Sequence, residues 1–89
     1  MVTARLTGNV WATRKADDLN GYKFLLARVI GGRRKGEQIV VVDTIGAGIG
    51  DRVIVATGSA ARQMLGDNTI PIDAAVIGII DEDCLFDED

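Results

Sequence analysis

Three observations predict an all-β fold of five short strands with one short helix. The first dozen residues alternate apolar and polar side chains with period two, the signature of a strand with one buried face. Four further short runs are rich in Val and Ile, residues that favour pleated backbone. Glycine and polar turn signals separate most of these runs. At 89 residues the chain makes one small domain, with no internal repeat and no linker.

Val2 to Thr13 forms the first predicted strand, with Val2, Ala4, Leu6, Gly8, Val10 and Ala12 on one face. Trp11 then falls on the polar face. Three placements are open to it: a lone exposed aromatic, a side chain turned inward by a bulge, or one covered by a neighbouring subunit. A polar loop closes on Asn20-Gly21, a strong tight-turn signal. Lys23 to Ile30 and Gln38 to Asp43 follow as strands apolar on both faces, joined by the basic turn "GGRRKGE". Arg52 to Thr57 is the fourth strand. "GSAARQMLGDN" offers the helix, with Ser59 as N-cap and Gly66 as stop. The loop containing Pro71 leads into the last strand, Asp73 to Ile80, and "DEDCLFDED" reads as a loosely ordered acidic tail. Neighbouring hairpins in this order fit a small five-stranded OB-like Greek-key barrel with one short helix.

Composition narrows the function. The chain is 47% hydrophobic, almost all of it aliphatic. A chain of this length buries only roughly 60–65% of its unfolded surface. So much apolar material, on strands that carry it on both faces, predicts association with further copies. No apolar stretch approaches the ~20 residues of a membrane helix, and the N-terminus has no signal-peptide h-region. Cys84 is the sole cysteine, which excludes an internal disulfide and suits a reducing, cytoplasmic compartment. Charge is divided: residues 1–36 hold eight Lys or Arg against two Asp, and residues 37–89 hold two Arg against eleven Asp or Glu.

Gly46, Gly48 and Gly50 follow an apolar strand, which raises phosphate binding as a candidate. The spacing lacks the dinucleotide fingerprint's last interval. The next element is a strand, so no helix N-terminus faces a ligand, and no Gly-Lys-Ser/Thr follows. The glycines instead permit positive φ and close backbone approach. A weaker anion site at Gly58, Ser59 and Arg62 is equally explained by capping. Catalysis has little to build on: there is no histidine to activate Ser59, the only serine, and acidic neighbours disfavour a Cys84 thiolate. No cofactor and no metal site is predicted, a tail of carboxylates being a weak, unselective ligand set.

"ARLTGNVWATRK" (Ala4 to Lys15), "LNGYKFLL" (Leu19 to Leu26), "VVDTIGAGIGD" (Val41 to Asp51), "TGSAAR" (Thr57 to Arg62) and "PIDAAVIGIID" (Pro71 to Asp81) together resemble the bacterial microcompartment vertex proteins of the ethanolamine-utilisation and carboxysome type. The D-x-x-G-A-G-x-G-[ED] segment is the most specific part. The resemblance implies a vertex domain over residues 1–83 with an acidic tail at 84–89. It implies a pentamer, with a hexamer as the alternative copy number. As a structural protein and not an enzyme, it would sit at the corners of a cytoplasmic polyhedral shell beside hexameric shell tiles. It also places the matching segment, Asp43, Thr44, Ile45, Gly46, Ala47, Gly48, Ile49, Gly50 and Asp51, at subunit contacts around a central pore. Asp51 stands where glutamate is commoner, which shortens a possible cross-subunit contact. Neither nucleic acid nor membrane is a partner in this reading. Two other classes remain as alternatives: an OB-type nucleic-acid binder using the basic first half, which lacks an aromatic stacking platform, and a nucleotide-binding protein using the glycine loop.

Overall fold

The computed structural model describes residues 1–11, 19, 21–66 and 71–81. Five strands, β1 (Val2–Asn9), β2 (Lys23–Val29), β3 (Gln38–Asp43), β4 (Arg52–Thr57) and β5 (Ala74–Ile79), close into a barrel in the order β1-β2-β3-β5-β4. All neighbours are antiparallel except β3 and β5, which run parallel and meet at Val42 and Ala75. Closure pairs the first strand with both β2 and β4, and the β3–β5 seam is the thinnest, a single bridge at Val42 and Ala75.

Period-two alternation fills the interior. Ala4 and Leu6, Leu25 and Ala27, Val41, Val53 and Val55, and Ala74 and Val76 form one buried cluster. Small and branched residues alternate because a five-stranded barrel is too narrow for a core of large side chains. β1 keeps its inward face only as far as Leu6. Register slips between Leu6 and Gly8, a bulge that inserts one residue opposite β2. This bulge does not bury Trp11, which lies 87% exposed on the single barrel. The strand ends at Asn9, short of the expected Thr13; residues 12 and 13 lie outside the described residues.

The second apolar face is less exposed than the sequence suggests. Helix α1 (Ser59–Met64) lies across the outer wall, where Ala61 packs with Ala56 and Ala75, flanked by Leu65 and Ile77. Beside it Val42 and Ile72 are covered by Leu19, Tyr22, Phe24 and Leu65. The chain therefore hides part of its doubly apolar strands itself. On the strands, what stays exposed among the described large apolar residues is Val40 on β3 and Ile79 on β5; Met1, Trp11, Met64 and the loop residues Ile45 and Ile49 are exposed outside them.

The helix start also differs from expectation. Gly58, not Ser59, is the N-cap, with φ 64° and ψ −139°, and no side chain caps the first turn. That backbone geometry is open to glycine and closed to serine. Gly66 does stop the helix: it has φ 79°, and its N–H donates to the Gln63 carbonyl at 3.1 Å.

A self-locked glycine loop as candidate contact site

β3 ends on a carboxylate, and β4 begins one residue after another. Between Asp43 and Asp51 the chain turns through Thr44, Ile45, Gly46, Ala47, Gly48, Ile49 and Gly50. Asp43 is buried, and its Oδ1 accepts the Ile45 N–H at 3.1 Å, an Asx turn that bends the chain off the strand. Asp51 closes the other end. Its Oδ2 accepts the Gly48 N–H at 2.8 Å, while its own N–H donates to the Gly48 carbonyl at 3.0 Å.

The loop is also tied to the barrel. Ala47 is buried and packs into the interior cluster, plugging one end of the barrel. The Lys23 ammonium donates to the Ala47 carbonyl at 3.3 Å and lies 4.0 Å from Asp43 Oδ2. Gly50 N–H donates to Leu6 O at 2.8 Å, Leu6 N–H donates to Asp51 O at 2.9 Å, and Arg5 Nη1 donates to Gly50 O at 2.7 Å. Lys23 and Arg5 escaped the sequence reading. Lys23 had a signal, since it stands directly opposite Asp43 in the β2–β3 hairpin. Arg5 had none, because its loop partner is 45 residues away.

This geometry counts against phosphate binding through its donors. A phosphate-cradling loop needs N–H groups aimed at empty space. Here Ile45 and Gly48 give theirs to the loop's own carboxylates, and Gly50 gives its to β1. At the second anion candidate, Arg62 Nη1 donates to the Ile72 carbonyl at 3.2 Å and Gly58 N–H to the Asp73 carbonyl at 2.8 Å, structural bonds that account for both groups.

The three glycines are not equivalent. Gly46 and Gly50 have φ of 88° and 94°, the left-handed region, whereas Gly48 does not. A Cβ on Gly48 would meet only Asp51 Oδ2, at 3.9 Å, an ordinary contact. Nothing inside one barrel therefore requires glycine at 48. With the loop locked from within, Ile45 and Ile49 remain outside, 43% and 58% exposed. Two branched apolar side chains are thus presented on a rigid frame.

Residues 1–81 match the sequence profile of the family described as "Ethanolamine utilisation protein EutN/carboxysome". The carboxysome shell vertex protein CcmL of Thermosynechococcus vestitus is 45% identical over 83 residues, covering 91% of this chain and 84% of that protein. Among solved structures, one described as "Ethanolamine utilization protein, EutN" superposes with a TM-score of 0.85 at 38% identity, covering 96% of this chain and 91% of that one. The GrpN pentameric microcompartment shell protein from Rhodospirillum rubrum superposes with a TM-score of 0.78 at 42% identity, covering 91% and 94%.

Proposed function

The chain belongs to the ethanolamine utilisation EutN/carboxysome family, and from that premise we propose that it is a structural shell protein forming pentameric vertices of a polyhedral bacterial microcompartment. The observation that carries this reading is the match, over nearly the full length of both chains, to a shell protein described as pentameric. Residues 1–83 are the vertex domain, with 84–89 as an acidic tail. The protein works at the shell, in the cytoplasm, beside hexameric tiles, and catalyses no reaction.

The physics of closure supports the role. Hexagonal tiles extend a flat sheet, and a five-fold unit supplies the angular deficit that lets the sheet close. A ring needs a head-to-tail interface whose rotation closes on itself. The loop from Asp43 to Asp51 fits the contact around the central pore: it is rigid before assembly, so ordering it costs little on binding, and it offers Ile45 and Ile49 as apolar contacts. Asp51 acts within its own loop, on Gly48, and need not reach across to a neighbour. The nucleotide alternative is weakened by the Ile45, Gly48 and Gly50 N–H groups, which are given to acceptors within the barrel, and the pocket that Trp11, Tyr22 and Phe24 line does not include the basic turn at 31–37.

Native mass spectrometry tests the copy number. The expected ring is five copies of the 9.5 kDa chain. A stable monomer or dimer at micromolar concentration overturns the ring, and a six-fold mass replaces the pentamer with a hexamer. In cells, deletion should leave shell walls but give elongated or open compartments. Closed polyhedra in a deletion strain without a second vertex gene refute the vertex role.

A further inference from the structure

Two unfinished surfaces lie on opposite flanks of the barrel. The first is Trp11, the most exposed large apolar side chain among the described residues, 87% open to solvent just past the end of β1. It does not stand alone, since Val10, Tyr22 and Phe24 line the notch beside it. Its base is fixed as well, because Val10 N–H donates to the Phe24 carbonyl at 3.1 Å. The second surface is the seam between β3 and β5, which the closed order β1-β2-β3-β5-β4 puts farthest round the barrel from β1. These two strands meet only at Val42 and Ala75. Past that bridge, no described strand pairs with the outer edge of Ile77, Gly78 and Ile79. An open strand edge is a template for contact with another chain. Exposed apolar side chains border it, Ile79 on β5 and Val40 on β3.

The two surfaces also lie at the same end. β1 and β3 are both antiparallel to β2, and β5 is parallel to β3, so all three run in one direction. Asn9, Asp43 and Ile79 therefore mark one end of the barrel, and Trp11 lies just beyond Asn9. A closed ring joins one flank of each copy to a different flank of the next. Rotation about the ring axis preserves height, so barrels standing along that axis bring Trp11 of one copy level with Ile79 of its neighbour. The chemistry matches too. A tryptophan at an interface needs apolar cover for its ring and an acceptor for its N–H. Ile79 and Val40 provide the cover, and the backbone carbonyls of the open β5 edge provide acceptors. We propose that Trp11 of one subunit seats on the β3–β5 seam of the next copy, against Ile79, as the anchor of the subunit contact. This inference rests on the ring reading above, and it assigns the contact a pair of faces.

Trp11 is the only tryptophan, so intrinsic fluorescence reads the contact without a label or a variant. In parent rings verified by native mass spectrometry, its emission should be shifted to the blue. Acrylamide should quench it several-fold less than it quenches N-acetyltryptophanamide. The seat is tested by combining Trp11→Cys and Ile79→Cys in a Cys84→Ser chain and oxidising it. A non-reducing gel should show a ladder of covalent oligomers up to the full ring, whereas neither single variant can extend past a dimer. If the double variant does not assemble, Ile79→Ala decides: it should admit several-fold more quencher to Trp11, or lose the ring while keeping strand circular dichroism. An intact Ile79→Ala ring with unchanged quenching overturns the seam as the seat, and so does an assembled double variant that gives no ladder. A parent ring whose Trp11 is freely quenched overturns the contact and leaves the vertex reading standing. A parent that forms no ring overturns both.

Discussion

Two connections with three glycines each differ in nearly everything else. The turn from Gly31 to Glu37 joins β2 to β3, and the loop from Asp43 to Asp51 joins β3 to β4. In the first, Arg33, Arg34 and Lys35 point into water, and the side-chain tie is an exposed ion pair, Arg34 to Glu37 at 2.7 and 2.9 Å. In the second, Ala47 points into the barrel while two aspartates and a lysine fasten the rest. Glycine content does not separate a solvated tip from a built surface. What separates them is whether a residue between the glycines reaches the core.

The largest effect should therefore come from Ala47. Ala47→Asp puts an unpaired charge at the barrel's end and should cost roughly 3–5 kcal/mol, read as a fall in the denaturation midpoint. The matching change in the other turn, Lys35→Asp, should stay within about 0.5 kcal/mol. Equal losses at the two positions would erase the distinction.

Next come the loop's own glycines. Gly46→Val and Gly50→Val force a β-branched residue to positive φ and should each cost about 1–3 kcal/mol of barrel stability. Gly48→Val should leave the barrel nearly unchanged, because its φ is ordinary and a Cβ has room. Position 48 is thus the cleaner test of assembly. If Gly48→Val keeps strand circular dichroism and melting behaviour yet loses the ring on sizing, a neighbouring subunit approaches there. An intact ring with valine at 48 would remove this position from the contact.

Much of this contrast was legible in sequence, and some was not. β3 and β4 were readable to the residue, since Asp43, Arg52 and Thr57 bound their apolar runs with polar side chains. The expected β2 and β5 ran over by one residue or two, because Ile30, Asp73 and Ile80 continue the apolar or extended pattern past the ladder. Ile30 and Ile80 still hydrogen-bond to neighbouring strands. The helix cap was misread because Ser59 has the right chemistry but Gly58 has the required backbone. The unequal glycines were hidden, since G-x-G-x-G shows no φ. Most hidden of all were Arg5 and Leu6, which reach the loop only because the barrel closes. Cys84 and the rest of the tail lie outside the described residues.

The Asp51 clasp should contribute an intermediate effect. Asp51→Ala deletes the acceptor for the Gly48 N–H and should cost about 1.5–3 kcal/mol, as for a hydrogen bond to a charged group. Asp51→Asn keeps an acceptor oxygen and should recover most of that loss. If both variants fall equally, negative charge at 51 matters beyond this bond. A contact with a neighbouring subunit would then return as the explanation.

The smallest effect belongs to the exposed turn, and it depends on pH. The Arg34 guanidinium donates two hydrogen bonds to Glu37 and holds its carboxyl below the usual value of 4.5. A carboxyl lowered on folding adds stability above its unfolded pKa, and that stability is lost as pH falls through the lowered folded value. Both partners are open to solvent, so the pair is screened and adds little. The parent's advantage over Glu37→Gln should thus fade as pH falls through the lowered folded value. By pH 6 the parent should gain a slight advantage, and about 1 M salt should shrink it, because the Debye length there is only about 3 Å. An advantage at pH 6 as large as the Asp51→Ala loss would mean that this turn, too, is fastened to something, and the contrast with the glycine loop would fail.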